Sequence, residues 1–238
     1  MLLPRYLLRE DVVLGSIEKL AARRVVDIGC GGGEILVTLG RMGITGVGYD
    51  PSPVARAHAA RRLAAAGQTG FEIVDSWPEG EHYDAALVLE VLGYTLDPIA
   101  FLARCRELIV PDGYLLLSFT PPSAGYGHDV VQGMAFHTPD QVRALLDTAG
   151  FEQVRITNYG FPLSNALVSV MNATHRLRAA VSSSAEARET GLAHAWPVLR
   201  PLGLVSNRWT LKPFIVAQRL FAHTELGTGF VAEACAGA

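Results

Sequence analysis

Val25-Val26-Asp27-Ile28-Gly29-Cys30-Gly31-Gly32-Gly33-Glu34 is the stretch from which the rest of the chain is read. Val25, Val26 and Ile28 form the end of a buried parallel strand, because a parallel sheet covered on both faces needs a continuous apolar run. The glycines that follow turn the chain and let bare backbone come close to a ligand. Glu34 then opens a helix whose apolar positions Ile35, Leu36 and Leu39 keep helical spacing. Strand, turn and helix N-terminus together offer unpaired N–H groups and a positive dipole end to an anionic group.

Two familiar ligands fail the pattern. A dinucleotide turn needs glycine at its first, third and sixth positions. Counted from Gly29 the sixth position is Glu34, and counted from Gly31 it is Leu36. A phosphate-binding P-loop needs Gly-Lys followed by Ser or Thr, which is absent. What remains is Asp27-x-Gly29-x-Gly31-x-Gly33, an acid at the strand tip followed by alternating glycines. This resembles motif I of the class I S-adenosylmethionine (SAM)-dependent methyltransferases. The resemblance implies SAM as methyl donor and S-adenosylhomocysteine (SAH) as product. It also implies an α/β fold: a Rossmann-like, doubly wound seven-stranded sheet, mostly parallel with the last strand antiparallel.

Composition narrows the surroundings. The chain has 238 residues, half of them hydrophobic, which suffices for one α/β core. A net charge of −3 and the lack of a basic run leave no electrostatic footprint for nucleic acid. Cys30, Cys105 and Cys235 are odd in number and widely spaced, which suits a reducing cytoplasm and neither a disulfide framework nor a metal site. The first residues are interrupted by Pro4, Arg5 and Arg9, unlike a signal peptide. No apolar run reaches the roughly 18 residues of a membrane span. The expectation is a cytoplasmic protein.

Taken in order, residues 6 to 21 read as an amphipathic helix too brief to cover an active site. After the glycine turn a helix runs to about Met42. A second strand, Gly46 to Asp50, ends in an acid 23 positions beyond Asp27, near the spacing of a ribose-binding carboxylate. Asp50 also suits a helix N-cap, since Pro51-Ser52-Pro53 begins the next helix, over 53 to 66. Phe71 to Asp75 is a third strand ending in an acid, followed by Ser76 and Trp77. Tyr83 onward is a fourth, with Glu90 at its end. Asp97-Pro98 starts a helix to about Ile109, and Pro111-Asp112-Gly113 turns into strand five, Tyr114 to Phe119. Thr138-Pro139-Asp140-Gln141 is a capping box opening a helix that ends at Gly150. Phe151 to Tyr159 suits strand six.

The resemblance covers residues 20 to 160 and the final strand, and it implies roles. Asp27, Gly29, Cys30 and Gly31 would line the donor's methionine portion, and Asp50 with Pro51 would meet its ribose. Asp75 and Ser76 would bind the adenine edge, with Trp77 against the ring; the other reading of Asp75 is a surface-loop aspartate. Glu90 closes the cofactor set. Relatives often read Leu-Glu-His there, whereas Leu89-Glu90 is followed by Val91, which removes a histidine that acts on substrate in some of them.

The loop from Thr120 to Phe136 stands at the carboxyl edge of the sheet, where open α/β folds place ligands. It contains His128-Asp129. His128 is the candidate base, with Tyr94 and Asp129 as orienting groups; His137, directly before the helix cap, reads as a packing residue. Strand seven is found only at Thr228 to Glu233. Residues 1–238 thus read as one domain with a helical insert at 162–224, which serves as a lid, a homodimer surface or both, or simply extends the core. Leu163, Leu167, Val170, Met171, Leu177 and Val181 mark one helix of that insert, Ser182 to Gly191 a polar linker, Trp196, Pro197, Pro201 and Gly203 irregular structure, and Pro213 the start of a last helix to about His223.

Methyl transfer from an already activated donor needs alignment and exclusion of water more than acid–base help. A base matters only where a hydroxyl or amine must lose a proton. The expected activity is transfer to O, N or C of a small, largely apolar or aromatic metabolite. Two other readings stay open: a SAM-binding enzyme that performs an elimination or cyclisation, and a non-catalytic partner subunit.

Overall fold

Alternate side chains of the first strand feed opposite faces of one sheet. In the computed structural model, which describes residues 4–122, 134–166 and 208–237, β1 (Arg24–Ile28) sends Val25 to one face and Val26 and Ile28 to the other. On the Val25 face lie α1 (Pro4–Lys19), α2 (Glu34–Arg41) and α3 (Pro53–Ala65), contributing Leu8, Val13, Ile17, Leu36, Leu39 and Leu63. On the other face, α4 (Pro98–Arg106) and α5 (Pro139–Thr148) bury Leu102, Cys105, Val142 and Leu146. Each large side chain so buried contributes on the order of 1.5–3 kcal/mol.

The other strands are β2 (Thr45–Tyr49), β3 (Phe71–Val74), β4 (Tyr83–Leu89), β5 (Ile109–Phe119), β6 (Glu152–Tyr159) and β7 (Gly229–Cys235). Their order is β3-β2-β1-β4-β5-β7-β6, with β7 antiparallel to both neighbours and the rest parallel. This is the expected seven-stranded, doubly wound sheet. Its first two crossovers step outward from β1 to β2 and β3, and the third returns to the far side of β1 to lay down β4, so the carboxyl ends of β1 and β4 flank the switch point where open sheets hold ligands.

Four boundaries differ from expectation, the first being that α4 ends at Arg106 and not near Ile109. Strand β5 begins at Ile109, before the Pro-Asp-Gly turn, pairing Ile109 with Tyr83 and then Tyr114 with Ala85. Pro111 has no N–H to give the ladder, so Val110 to Gly113 bulge out opposite Asp84 alone. Asp112 takes φ 59° there, and a Cβ on Gly113 would come within 2.9 Å of the carbonyl oxygens of Asp84 and Val110. The N-cap of α3 is Ser52, whose hydroxyl accepts from the Ala55 N–H, and not Asp50, whose carboxylate is engaged elsewhere. The last helix, α6 (Arg208–Gln218), already runs through Pro213 instead of starting there, and a 3₁₀ turn, Arg219–Phe221, completes it. The other readings made for the insert, from Leu167 to Gly203, lie outside the described residues.

Candidate functional site

The glycine turn is held by the strand beside it. The N–H groups of Gly29 and Cys30 both donate to the Tyr49 carbonyl, at 2.7 and 2.9 Å. Gly29 has φ 79°, and a Cβ there would overlap Cγ2 of Val91, so the residue after Glu90 is packed directly on the turn. Gly31 has φ 53°, and a Cβ there would meet nothing within 4 Å: the backbone faces open space. Asp50 ties the turn to β2, its Oδ2 accepting from the Gly31 N–H at 2.9 Å and its Oδ1 from the Ser52 N–H at 2.8 Å. A carboxylate has about four acceptor positions, so two remain for further donors. Glu34 forms an ion pair with Arg62 at the rim of the turn.

Asp27 lies under the turn, 2% exposed, with Oδ1 buried and without a hydrogen-bond partner among the described residues. Burial pushes its carboxyl up to about 7, against the pull of Arg9 and with the push of Asp50 and Glu34. Cys30 is also buried, and its thiol is pushed up to about 12 by burial and then by Asp27 and Asp50, so it is an inert packing group.

The N-terminal helix is not too brief to reach the site, contrary to the expectation from its length. Arg5 and Arg9 stand one turn apart on α1 and both approach Glu90, Arg5 Nη2 at 3.3 Å and Arg9 Nη1 at 3.9 Å from Oε1. Arg5 also donates to the Thr120 hydroxyl (2.6 Å) and the Tyr159 hydroxyl (3.1 Å). Glu90 accepts further from Tyr159 (2.8 Å), Thr120 (2.9 Å) and Ser118 (3.3 Å). Burial alone would push Glu90 up, but the two guanidinium groups and the Tyr159 and Thr120 hydroxyls hold it below the ordinary carboxylate range. Its φ of 62° is a left-handed conformation in a non-glycine residue, the kind of strain that collects at functional sites.

Arg9 Nε and the Tyr6 hydroxyl are, like Asp27 Oδ1, buried without a hydrogen-bond partner among the described residues. The Arg9 guanidinium lies 5.1 Å from the Tyr6 ring centre. Three unsatisfied polar atoms of complementary character thus lie on residues whose charges act on one another, with Asp27 just ahead of the glycine turn, and each would cost on the order of 1–3 kcal/mol if nothing filled them. A zwitterionic amino-acid group, with an ammonium for Asp27 and a carboxylate for Arg9 and Tyr6, matches that set. The residues present fit SAM.

Across the switch point, Trp77 meets Tyr49 edge-on at 5.6 Å and Phe101 at 6.0 Å, with the Arg104 guanidinium 4.4 Å above its ring. Asp75 and Ser76, just before it, are exposed, as is Pro51. Tyr94 is on the short 3₁₀ turn Leu92–Tyr94 beyond Glu90, with its side chain largely exposed. His128 and Asp129 lie outside the described residues. His137 donates its backbone N–H to the Thr120 carbonyl at 3.4 Å, and burial holds its imidazole below the ordinary range. The glycine turn, Asp50 and Glu90 are thus gathered at one carboxyl edge. Arg5, Tyr6 and Arg9 were missed by sequence reasoning; the signal for them was a pair of arginines at i and i+4 in a helix otherwise apolar on that side.

Comparison with known proteins bears on the same region. The family model described as "Methyltransferase domain" matches residues 5–156. The ubiquinone biosynthesis O-methyltransferase of Dinoroseobacter shibae is 35% identical over 153 residues, covering 55% of this chain and 60% of that protein. The enzyme of the same name from Ruegeria pomeroyi is 33% identical over 181 residues, covering 65% and 70%. The chain thus spans about three fifths of the length of the first of these relatives. Among solved structures, a putative sarcosine dimethylglycine methyltransferase from Galdieria sulphuraria superposes with a TM-score of 0.62 at 16% identity, covering 97% of this chain and 85% of that one. The [4+2]-cyclase SpnF superposes at 0.59 with 20% identity, covering 96% and 82%.

Proposed function

Because the chain belongs to the SAM-dependent methyltransferase domain family, we propose that it moves a methyl group from SAM to a small, largely apolar or aromatic metabolite. Among O, N and C acceptors a hydroxyl oxygen is favoured, on the strength of the relatives named as ubiquinone biosynthesis O-methyltransferases. The observation that carries the reading is the set of unpartnered buried atoms on Asp27, Arg9 and Tyr6, together with the open backbone of Gly31 in the turn that follows Asp27.

In this reading Asp27 receives the donor's ammonium, and Arg9 with Tyr6 its carboxylate. The free acceptor positions of Asp50 receive the ribose hydroxyls. Asp75, Ser76 and Trp77 meet the adenine, with Pro51 against its face. SAM, when bound, supplies a sulfonium methyl that needs no further activation. What the chain adds is alignment and dryness. Glu90, held ionised by two arginines and with its acceptor positions already taken by Arg5, Tyr159, Thr120 and Ser118, is a poor proton acceptor; its part is to fix α1 over the donor. Deprotonation of a hydroxyl then falls to His128, with Tyr94 as an orienting group.

Calorimetric titration with SAH and mass spectrometry of a phenol and catechol panel incubated with SAM test this. SAH binding together with a product one methylene heavier supports it, and absence of SAH binding overturns it. A second reading has a specific basis: Val91 stands where the resembled family often reads histidine, and a cyclase shares the fold. SAH binding with an isomerised product of unchanged mass would favour that reading.

A further inference from the structure

Gln218 is the last residue of α6, 3% exposed, and its carboxamide joins two segments far apart in sequence. Its Oε1 accepts from the Gly160 N–H at 2.8 Å, and its Nε2 donates to the Leu8 carbonyl at 3.2 Å. Leu8 lies between Arg5 and Arg9 on α1. Gly160 directly follows Tyr159. The two backbone groups that Gln218 grips therefore belong to the two arms that close on Glu90, one bringing the arginines and the other the tyrosine hydroxyl.

The neighbouring contacts act in the same direction. Asn158 donates its backbone N–H to the Ala222 carbonyl at 2.8 Å and its Nδ2 to the Thr224 hydroxyl at 2.9 Å, fixing the 3₁₀ turn after α6 against β6. Arg219 pairs with Asp11 at 3.3 Å on the exposed side of α1. Ile215 packs on the cluster containing Leu8 and Tyr159. The exposed ion pair adds little, whereas the buried amide is costly to break, since that would strip the Gly160 N–H of its partner and leave the carboxamide itself unsatisfied.

We propose that Gln218 is a positioning residue of the donor site: its carboxamide sets where α1 lies, and through α1 where Arg9 and Tyr6 stand relative to Asp27. The C-terminal part of the insert is then a strut of the methyl-donor pocket. This rests on the reading that Arg9 and Tyr6 take the amino-acid end of the donor.

The test is a double-mutant cycle on SAH affinity, read by calorimetry with Gln218→Met and Arg9→Ala singly and together. Methionine keeps the length and packing of glutamine and removes both hydrogen bonds. Gln218→Met should weaken SAH about tenfold in the native background and less than twofold where Arg9 is already alanine. A purely structural role would lower the melting temperature and leave the affinity of the folded protein unchanged, and that result, or an equal loss in both backgrounds, overturns the proposal. Arg9→Ala binding SAH like the native chain would instead overturn the donor-site reading, and the proposal with it. Should Gln218→Met not fold, Gln218→Asn, whose amide is too short to span both partners, enters the same cycle with the same expected outcomes.

Discussion

Asp27 is the residue at which folding and ligand binding are most directly opposed. Unfolded, its carboxyl titrates near the ordinary 3.8; in the fold burial moves it to about 7. The fold therefore holds the proton more tightly, and that preference stabilises fully below about pH 4 and is lost as pH rises through about 7. The whole rise is equivalent to about 4 kcal/mol. Asp27→Asn, which cannot ionise, should gain stability relative to the native protein between pH 5 and pH 8, measured by urea denaturation at both. A gap that does not widen with pH would contradict the assignment. The same variant should bind SAH more weakly at pH 8, where the native carboxylate has lost its proton. Asp50→Ala should cost about 1.5–3 kcal/mol of SAH affinity by calorimetry, because it removes a charge-assisted acceptor and frees the Gly31 N–H that this side chain holds. The acids at the strand ends and the glycines were legible in the sequence because strand, turn and acid follow one another within a few residues. Arg5 was not, because its partner Glu90 is 85 positions away and only the topology brings them together.

Among the elements, α5 shows how far local chemistry reaches. Its capping box is formed in both directions: the Thr138 hydroxyl accepts from the Gln141 N–H at 3.3 Å, and the Gln141 side chain accepts from the Thr138 N–H at 2.8 Å. Thr138→Ala should destabilise the protein by about 1 kcal/mol in chemical denaturation, with little effect on SAH affinity. A loss of affinity as large as that of Asp50→Ala would mean that α5 communicates with the donor site. Caps, turns and apolar period located most elements to within a residue or two, since all three are local. The errors came where tertiary contact overrode a local sign. Pro111 reads as a turn before a strand, yet the β4 ladder takes up residues on both sides of it. Pro213 reads as a helix start, yet it is carried inside α6, a helix clamped at its end by Gln218.

At the scale of the molecule, α1 contacts β6, β7 and α6, and in the proposed reading it closes the donor edge. Donor binding should therefore be felt along α1 as well as at the glycine turn. Hydrogen exchange of amides 5–12 should slow when SAH is added, and unchanged exchange there would remove α1 from the site. SAH at one hundred times its dissociation constant should stabilise the fold by about 2.7 kcal/mol, read as a raised melting temperature.

The antiparallel strand β7 also imposes an order in time. It lies between β5 and β6, and among the described residues β6 has no other strand beside it. During synthesis Tyr159 leaves the ribosome about seventy residues before Gly229, the residue it pairs with. Strands β1 to β5 can assemble early, glycine turn included, but the ladder that β6 joins is complete only when β7 arrives. The hydroxyl that Tyr159 brings to Glu90 is thus among the last parts of the donor site to be set. A nascent chain halted before Gly229 should carry the turn and the acids without the clamp that steadies them.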